Sequence, residues 1–332
     1  MRIATYNVEW FDKLFDDAGE LIDDDGWSGR QDVTRAAQIA ALAEVFRTVD
    51  ADAWMIIEAP DDSRTRSSRV ALENFAEHVG LRQTTAITGF ANHTQQEIAL
   101  LFDPSVVTAR HDPQESPRAP RFDTEMQIDL DVDAQADTVV WSKPPLELEI
   151  EVADQILRLI GVHAKSKAPH GARNRAEVMQ ISIANRRKQL AQCIWLRRRV
   201  EQHLEAGDPL IVVGDFNDGP GLDEYEKLFG RSGVEIVLGE AGENCLYDPH
   251  AARALTSRFA APTTSRFWLQ HEGRYLQALL DYVMVSPDLR AKRPSWRIWH
   301  PFDDAECFRN SALREALLTA SDHFPVLMDI DL

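Results

Sequence analysis

The sequence predicts a single α/β domain whose strand-forming segments fall into two halves. Apolar runs of strand length alternate with longer stretches of helical period along the chain. No stretch is rich enough in Gly, Ser or Pro to act as a linker, and no segment repeats. With 332 residues, 44% apolar and 27% charged, the chain can bury a sizeable core as one domain spanning 1–332.

Residues 2–10, RIATYNVEW, read as the first strand, with Asn7 and Glu9 two apart and so on one face. The acidic loop 12–31 contains DDDG at 23–26, which lacks the alternating ligand spacing of a calcium loop and is expected to be a solvated turn. A helix follows over 32–48, with Asp32 as N-cap and Ile39, Leu42 and Phe46 on one face. AWMIIEA (53–59) is a buried strand that reaches Glu58 and stops at Pro60. A second helix is expected over 67–79 and a strand over 97–102, ended by Asp103-Pro104. Pro104, Pro113, Pro117 and Pro120 predict an exposed loop over 103–121. LELEIEV (146–152) and ILRLIGVHAKS (156–166) form a hairpin turning at Ala153-Asp154. The longest helical pattern spans 177–206, with Leu190, Ile194, Val200 and Leu204 at helical spacing and Gly207 as C-cap. LIVVGDFNDGP (210–220) opens as a buried strand; Asp215 and Asn217 then share a face, and Asp218 is expected to cap a helix over 222–229. A loop-rich region reaches about 275, followed by the strands ALLDYVMVS (278–286) and FPVLMDI (324–330).

Bulk properties narrow the function classes. Cys193, Cys245 and Cys307 are too few and too scattered for a disulfide framework or a thiolate metal site, which fits a reducing compartment. No apolar run approaches the roughly 18–20 residues of a membrane span, and strand-like sequence from Arg2 leaves no room for a signal peptide. A cytoplasmic monomer with no membrane insertion is the expectation. The net charge of −18 opposes non-specific coating by nucleic acid, although a local basic groove remains compatible with it.

Strand after strand ends in a titratable or metal-capable residue: Asn7, Glu9, Glu58, His163, Asp215, Asn217, Asp281 and the pair Asp322-His323. Singly, an Asp or Asn at a strand end is ordinarily a turn residue or a helix cap. Jointly, carboxylates cannot pack together without compensating charge. Oxygen ligands gathered at one sheet end call for Mg²⁺, with Mn²⁺ or Ca²⁺ as alternatives. Two histidines among them point to proton chemistry.

In order, TYNVEW, IIEAP, GVHAKSK, VVGDFND, LLDYVMVS and SDHFPV resemble the endonuclease/exonuclease/phosphatase superfamily, over residues 5–326. That group includes pancreatic deoxyribonuclease, the apurinic endonucleases, neutral sphingomyelinases and inositol polyphosphate 5-phosphatases. The resemblance implies a four-layer αββα sandwich of two packed, mainly antiparallel sheets flanked by helices. It also implies roles. Glu58 looks like the principal metal-ligating glutamate, with Asn7 and Asp322 as further ligands and Glu9 near the metal. Asp215 and Asn217 would lie at the scissile phosphate, and His323 would face the phosphorus with Asp281 orienting it. Asp215 and the His323–Asp281 dyad are both reasonable bases for the attacking water. His163 matches the second histidine of the deoxyribonuclease and sphingomyelinase branches, and Glu97 matches the glutamate that supports it. Two departures leave substrate choice open: Ile57 precedes Glu58 where a glutamine is usual, and Ala59-Pro60 follow where the deoxyribonuclease branch has an arginine.

Lys165, Lys167, Arg173, Arg175, Arg186, Arg187 and Lys188 form a local basic zone just after His163. The H-x-K-S run at 163–166 is similar to that of bacterial extracellular nucleases and sphingomyelinase-like members, and Arg186 with Gln189 to an R-x-x-Q pair of such nucleases, a resemblance that implies support of the site from behind. Lys165, Ser166 and Arg186 are therefore the substrate-binding candidates. Arg266, Phe267 and Trp268 would either stack on a base or pack a loop. The expected activity is metal-dependent hydrolysis of a phosphodiester in DNA or RNA. The alternatives are hydrolysis of a small or lipid-derived phosphate ester, and a non-catalytic binding module.

Overall fold

The computed structural model describes residues 1–92, 94, 96–128, 137–169, 171, 173–220, 230–240, 242, 244–256, 261–269 and 273–332. Two sheets stack face to face. The first has the order β14-β15-β1-β2-β4-β3, formed by Ser295–Ile298, Val326–Asp329, Arg2–Asn7, Ala53–Ala59, Glu97–Phe102 and Thr85–Thr88. The second has the order β13-β10-β9-β8-β5, formed by Asp281–Val285, Leu210–Asp215, Gln155–His163, Leu146–Val152 and Thr108–His111. Most pairings are antiparallel; the exceptions are β1 with β2 and β9 with β10, one parallel pair near the middle of each sheet. Among the described residues two ribbons complete the strands: β6 (Glu125–Ile128) with β7 (Asp137–Val140), and β11 (Ser265–Leu269) with β12 (Arg274–Ala278).

The central strands are apolar on both faces because both faces are covered. Ile3, Met55, Ile57, Leu159, Val213 and Val283 fill the core between the sheets. The alternate residues Ala4, Tyr6, Trp54 and Ile56 face α1 (Arg35–Val49), α2 (Ser68–Val79) and a C-terminal helix, through Leu42, Phe46, Phe75 and Leu317. On the other side Ile160, Val162, Val212 and Met284 meet Trp195, Leu196 and Val200 of α3 (Arg175–Ala206). The result is the expected αββα sandwich. Gly161 permits the close approach of the sheets, since a Cβ there would lie 2.4 Å from Met55 Sδ.

Several expectations need correction. Asp32 is not the cap of α1; its φ is +59°, and Thr34 accepts from the Ala37 amide instead. The proline-rich stretch 103–121 is not wholly exposed, for it contains β5 and the buried Ala119. The loop-rich region contains α4 (Gly233–Leu238), α5 (Pro249–Thr256), β11 and part of β12. Before the last strand lie α6 (Pro287–Ala291), β14, α7 (Ala305–Arg309) and α8 (Ser311–Ala320). Ala153 and Asp154 form the β8–β9 turn, both with positive φ, as the hairpin spacing requires. The helix expected over 222–229 falls outside the described residues. Among the described residues, no helix is long and apolar enough to cross a membrane.

Candidate active site

The two parallel pairs decide where the site forms. β1 and β2 point the same way, so Asn7 and Glu58 emerge together. β9 and β10 do the same for His163 and Asp215. β13 and β15 run antiparallel to their neighbours, so Asp281 and the 322–323 pair enter at the same end. Asn7 Nδ2 donates to Asp215 Oδ2 across the gap between the sheets at 3.0 Å.

Two polar residues sit on left-handed backbone. Glu58 has φ +64° at a bulge where β2 slips register against β4, and Asn217 has φ +50°. Such conformations cost about 1–3 kcal/mol in non-glycine residues and concentrate at functional sites. Gly214 precedes Asp215 with φ +136°; a Cβ there would lie 2.1 Å from the Val162 carbonyl oxygen.

Asp215 is the hub. Its Oδ1 accepts from the Asn217 amide at 2.7 Å, and its Oδ2 lies 3.3 Å from Asn217 Nδ2. His163 Nε2 lies 3.8 Å and His323 Nε2 4.0 Å from the same Oδ2. Burial pushes the Asp215 carboxyl up to about 7, and the nearby Asp281 charge adds to this. His323 Nδ1 is bonded to Asp281 Oδ2 at 2.8 Å, and Thr264 Oγ1 donates to that same oxygen. Burial works against a charged His323, yet Asp281, Asp215 and Asp322 together hold its imidazole well above its usual value. His163 is displaced well below its usual value, first by burial and then by Lys143, His323 and Lys165.

Glu58 and Asp322 are also raised by burial, Asp322 to about 7. Glu9 adds to both shifts, but it lies beyond the end of β1, so the predicted strand alternation does not reach it, and Arg30 meets its charge. Ligand-type atoms of Asp215, Asp281 and His323 lie within 4.8 Å of one another. Among the described residues, Glu9, Glu58 and Asp322 do not close into so tight a group. The residues nevertheless fit a divalent cation held by oxygen. Burial outweighs the nearby cationic groups at Glu58 and Asp322, which raises their affinity for protons, and among the described residues the buried Asn7 Oδ1 has no hydrogen-bond partner.

The basic zone divides. Arg186 is fully buried, which excludes the substrate contact expected of it; it donates to Asp218 Oδ1 and Gln189 Oε1. Gln189 then donates to the carbonyls of Lys165, Phe216 and Asn217, bracing the site from behind. Asp218 also accepts from Lys167 and from the Gly233 amide, while the helix it is expected to cap lies outside the described residues. Ser166 Oγ accepts from the Ala168 amide. Lys165, Ser142, Arg187 and Lys188 line a groove of about 490 Å³ between β7 and α3. Phe267 packs its ring edge on His323, with centroids 5.4 Å apart, whereas Trp268 stacks on Tyr275 and is half exposed.

Glu97 does not support His163; it is bonded to Asn92. Lys143 occupies that role, its Nζ 3.1 Å from His163 Nδ1. Gln96 joins Lys143 to Glu58, accepting from the first and donating to the second. Sequence reasoning missed Lys143, Gln96 and Thr264. Gln96 and Thr264 lie just before β4 and β11, outside the strands themselves, and Lys143 stands alone before Pro144-Pro145.

Comparison with known proteins agrees with this fold. The profile of the Endonuclease/Exonuclease/phosphatase family matches residues 4–323. TDP2 from C. elegans has the same fold, with TM-score 0.52 and 13% identity over 98% of this chain and 74% of that one. An AP endonuclease from Archaeoglobus fulgidus gives 0.52 and 12% identity over 100% of both chains. The 3′ phosphatase NExo from Neisseria, bound to product DNA hairpin, gives 0.50 and 16% identity over 100% of both. No curated protein matches the sequence significantly. With the family profile covering nearly the whole chain, the protein belongs to the Endonuclease/Exonuclease/phosphatase family and is a phosphoric ester hydrolase.

Proposed function

We propose that the protein is a divalent-metal-dependent nuclease that hydrolyses a phosphodiester by in-line attack of water. One observation carries the reading: both sheets deliver polar side chains to a single buried carboxylate oxygen, Asp215 Oδ2, flanked by two imidazoles. Glu58, Asn7 and Asp322 would hold Mg²⁺, with Mn²⁺ or Ca²⁺ as alternatives. When bound, the ion supplies neutralisation of charge developing on the phosphorane and its leaving oxygen.

Asp215 takes the proton from the attacking water, since its carboxyl titrates near 7 and so suits a base working near neutrality. Its bonds to Asn7 and Asn217 fix the carboxylate plane. His323 is the weaker candidate for the base. Its carboxylate neighbours favour the imidazolium, which suits it instead to donate to a phosphate oxygen. The groove lined by Lys165, Lys188 and Arg187, the last paired with Asp137 on the same wall, supports a polyanionic substrate on an otherwise acidic protein. The DNA-bound 3′ phosphatase of the same fold is consistent with this.

The test is hydrolysis of DNA, of RNA and of a small phosphate diester, each with Mg²⁺, with Mn²⁺ and with excess EDTA. Expected is cleavage of nucleic acid that requires the ion and falls with salt. Hydrolysis of the small ester alone would move the assignment to a small-molecule phosphoesterase. Inactivity on all three would overturn it.

A further inference from the structure

We propose that Lys143 is a positioning residue that fixes the tautomer of His163, making this imidazole a neutral hydrogen-bond donor to substrate phosphate. The proposal rests on the phosphodiesterase reading above. It begins from the replacement just described: the sequence led to a carboxylate, Glu97, as the support of His163, and the structure places an ammonium there.

The two supports have opposite consequences. A carboxylate accepts only, so it would draw the ring proton to Nδ1 and stabilise the doubly protonated ring. A lysine ammonium has three donors and no acceptor. Burial works against a charged Lys143 while Glu58 and Asp215 favour its ammonium; as an ammonium, with Nζ 3.1 Å from His163 Nδ1, it makes that nitrogen the acceptor and assigns the single ring proton to Nε2. Nε2 is the atom that faces the reacting region, 3.8 Å from Asp215 Oδ2 and 4.0 Å from Glu58 Oε1. Those gaps are longer than a hydrogen bond, so the N–H is not consumed by either carboxylate. It stands ready for a phosphate oxygen.

Lys143 is itself held. Its Nζ donates to Gln96 Oε1 at 2.5 Å, and Gln96 Nε2 donates to Glu58 Oε2. Glu97, the neighbour of Gln96, is occupied by the Asn92 amide and side chain and so leaves the position to lysine. The two histidines thus divide the work. His323, bonded to Asp281, is built to carry charge, while His163, bonded to Lys143, is built to remain neutral with a defined donor.

The test is a long-range ¹H–¹⁵N spectrum of Mg²⁺-loaded protein labelled at histidine nitrogen, with His163 assigned by loss of its signals in His163→Gln. Expected is an unprotonated Nδ1 and a protonated Nε2 in the wild type. Lys143→Arg, also donor-only, should keep that pattern and most of the turnover. Lys143→Glu should move the proton to Nδ1 or protonate both nitrogens. Lys143→Met should lower kcat about 10- to 100-fold with a smaller change in KM, the scale for losing the partner that orients an imidazole. A proton on Nδ1 in the wild type would overturn the proposal, as would an unchanged tautomer in Lys143→Glu. The spectra need no turnover, so they separate failure of this assignment from failure of the nuclease reading.

Discussion

Replacing Asp218 with asparagine separates two accounts of the same residue. As the cap of a following helix, it would contribute about 0.5–2 kcal/mol. The structure makes it the counter-charge of a buried cation. Asp218 Oδ1 accepts from Arg186 Nη1 at 2.6 Å and Lys167 Nζ at 2.7 Å, and Oδ2 accepts from the Gly233 amide at 2.5 Å. The Arg186 and Asp218 side chains are 0% and 1% exposed, so solvent does not screen the pair. Asp218→Asn keeps the shape and leaves Arg186 with neutral acceptors, Gln189 Oε1 and the Arg231 carbonyl. Removing one partner of a buried ion pair costs about 3–5 kcal/mol, a large share of the roughly 5–15 kcal/mol that holds a typical domain. Urea unfolding followed by tryptophan fluorescence measures the loss, provided the slope with denaturant is unchanged. Arg186→Met placed on top of Asp218→Asn should recover part of it, because the stranded charge is then gone. A cost below about 1 kcal/mol for Asp218→Asn would refute the buried-hub account.

Three further outcomes are expected. His323→Ala, Asp215→Ala and Glu58→Ala each lower turnover at least about a hundredfold, the scale for losing a base or key electrostatic group; near-normal turnover of the His323 variant in a metal-supplemented assay would dismiss the site. Gly214→Ala drives a Cβ into the Val162 carbonyl and should cost more than about 3 kcal/mol or abolish soluble expression, whereas a wild-type melting temperature would show that β9 and β10 can part there. Asp304 sits at about 2: partial burial works to raise it, but its bonds from Arg297 and the Cys307 amide prevail. Its folded value is depressed, so its contribution is present above about 4 and is lost as pH falls toward 2. Asp304→Asn should therefore be less stable than wild type at pH 7 and converge with it near pH 2 in thermal melts.

What the sequence disclosed follows burial. AWMIIEA and LIVVGDFNDGP are legible because strands covered on both faces must be apolar throughout, and a polar residue at their end then stands out, whereas LELEIEV shows itself by alternation and the hairpin by its turn. Glu58, His163 and Asp215 were visible for that reason. The short pieces β3, β14 and α7 carry too few residues to show a period, and β11 and β12 lie in a ribbon half open to solvent. Lys143 was invisible for a different reason. Its meaning comes from His163, 20 residues on, and from Gln96, 47 residues back, so no local pattern contains it. Arg186 misled because a cation in a basic run suggests an exposed surface, and only the fold reveals the buried Asp218 facing it.

The chain builds its reaction centre on a seam. Asn7, Glu58 and the 322–323 pair come from the first sheet, and His163, Asp215 and Asp281 come from the second. Each sheet contains a run of four strands that reads antiparallel, parallel, antiparallel, so the molecule offers two similar half-sites face to face. Neither half alone holds the close group of Asp215, Asp281 and His323. Chemistry therefore reports alignment: a slip of an ångström between sheets would disable the enzyme while every strand kept its hydrogen bonds. The side chains that set that alignment, such as Met55 over Gly161, lie within the apolar interior rather than among the polar groups of the candidate site.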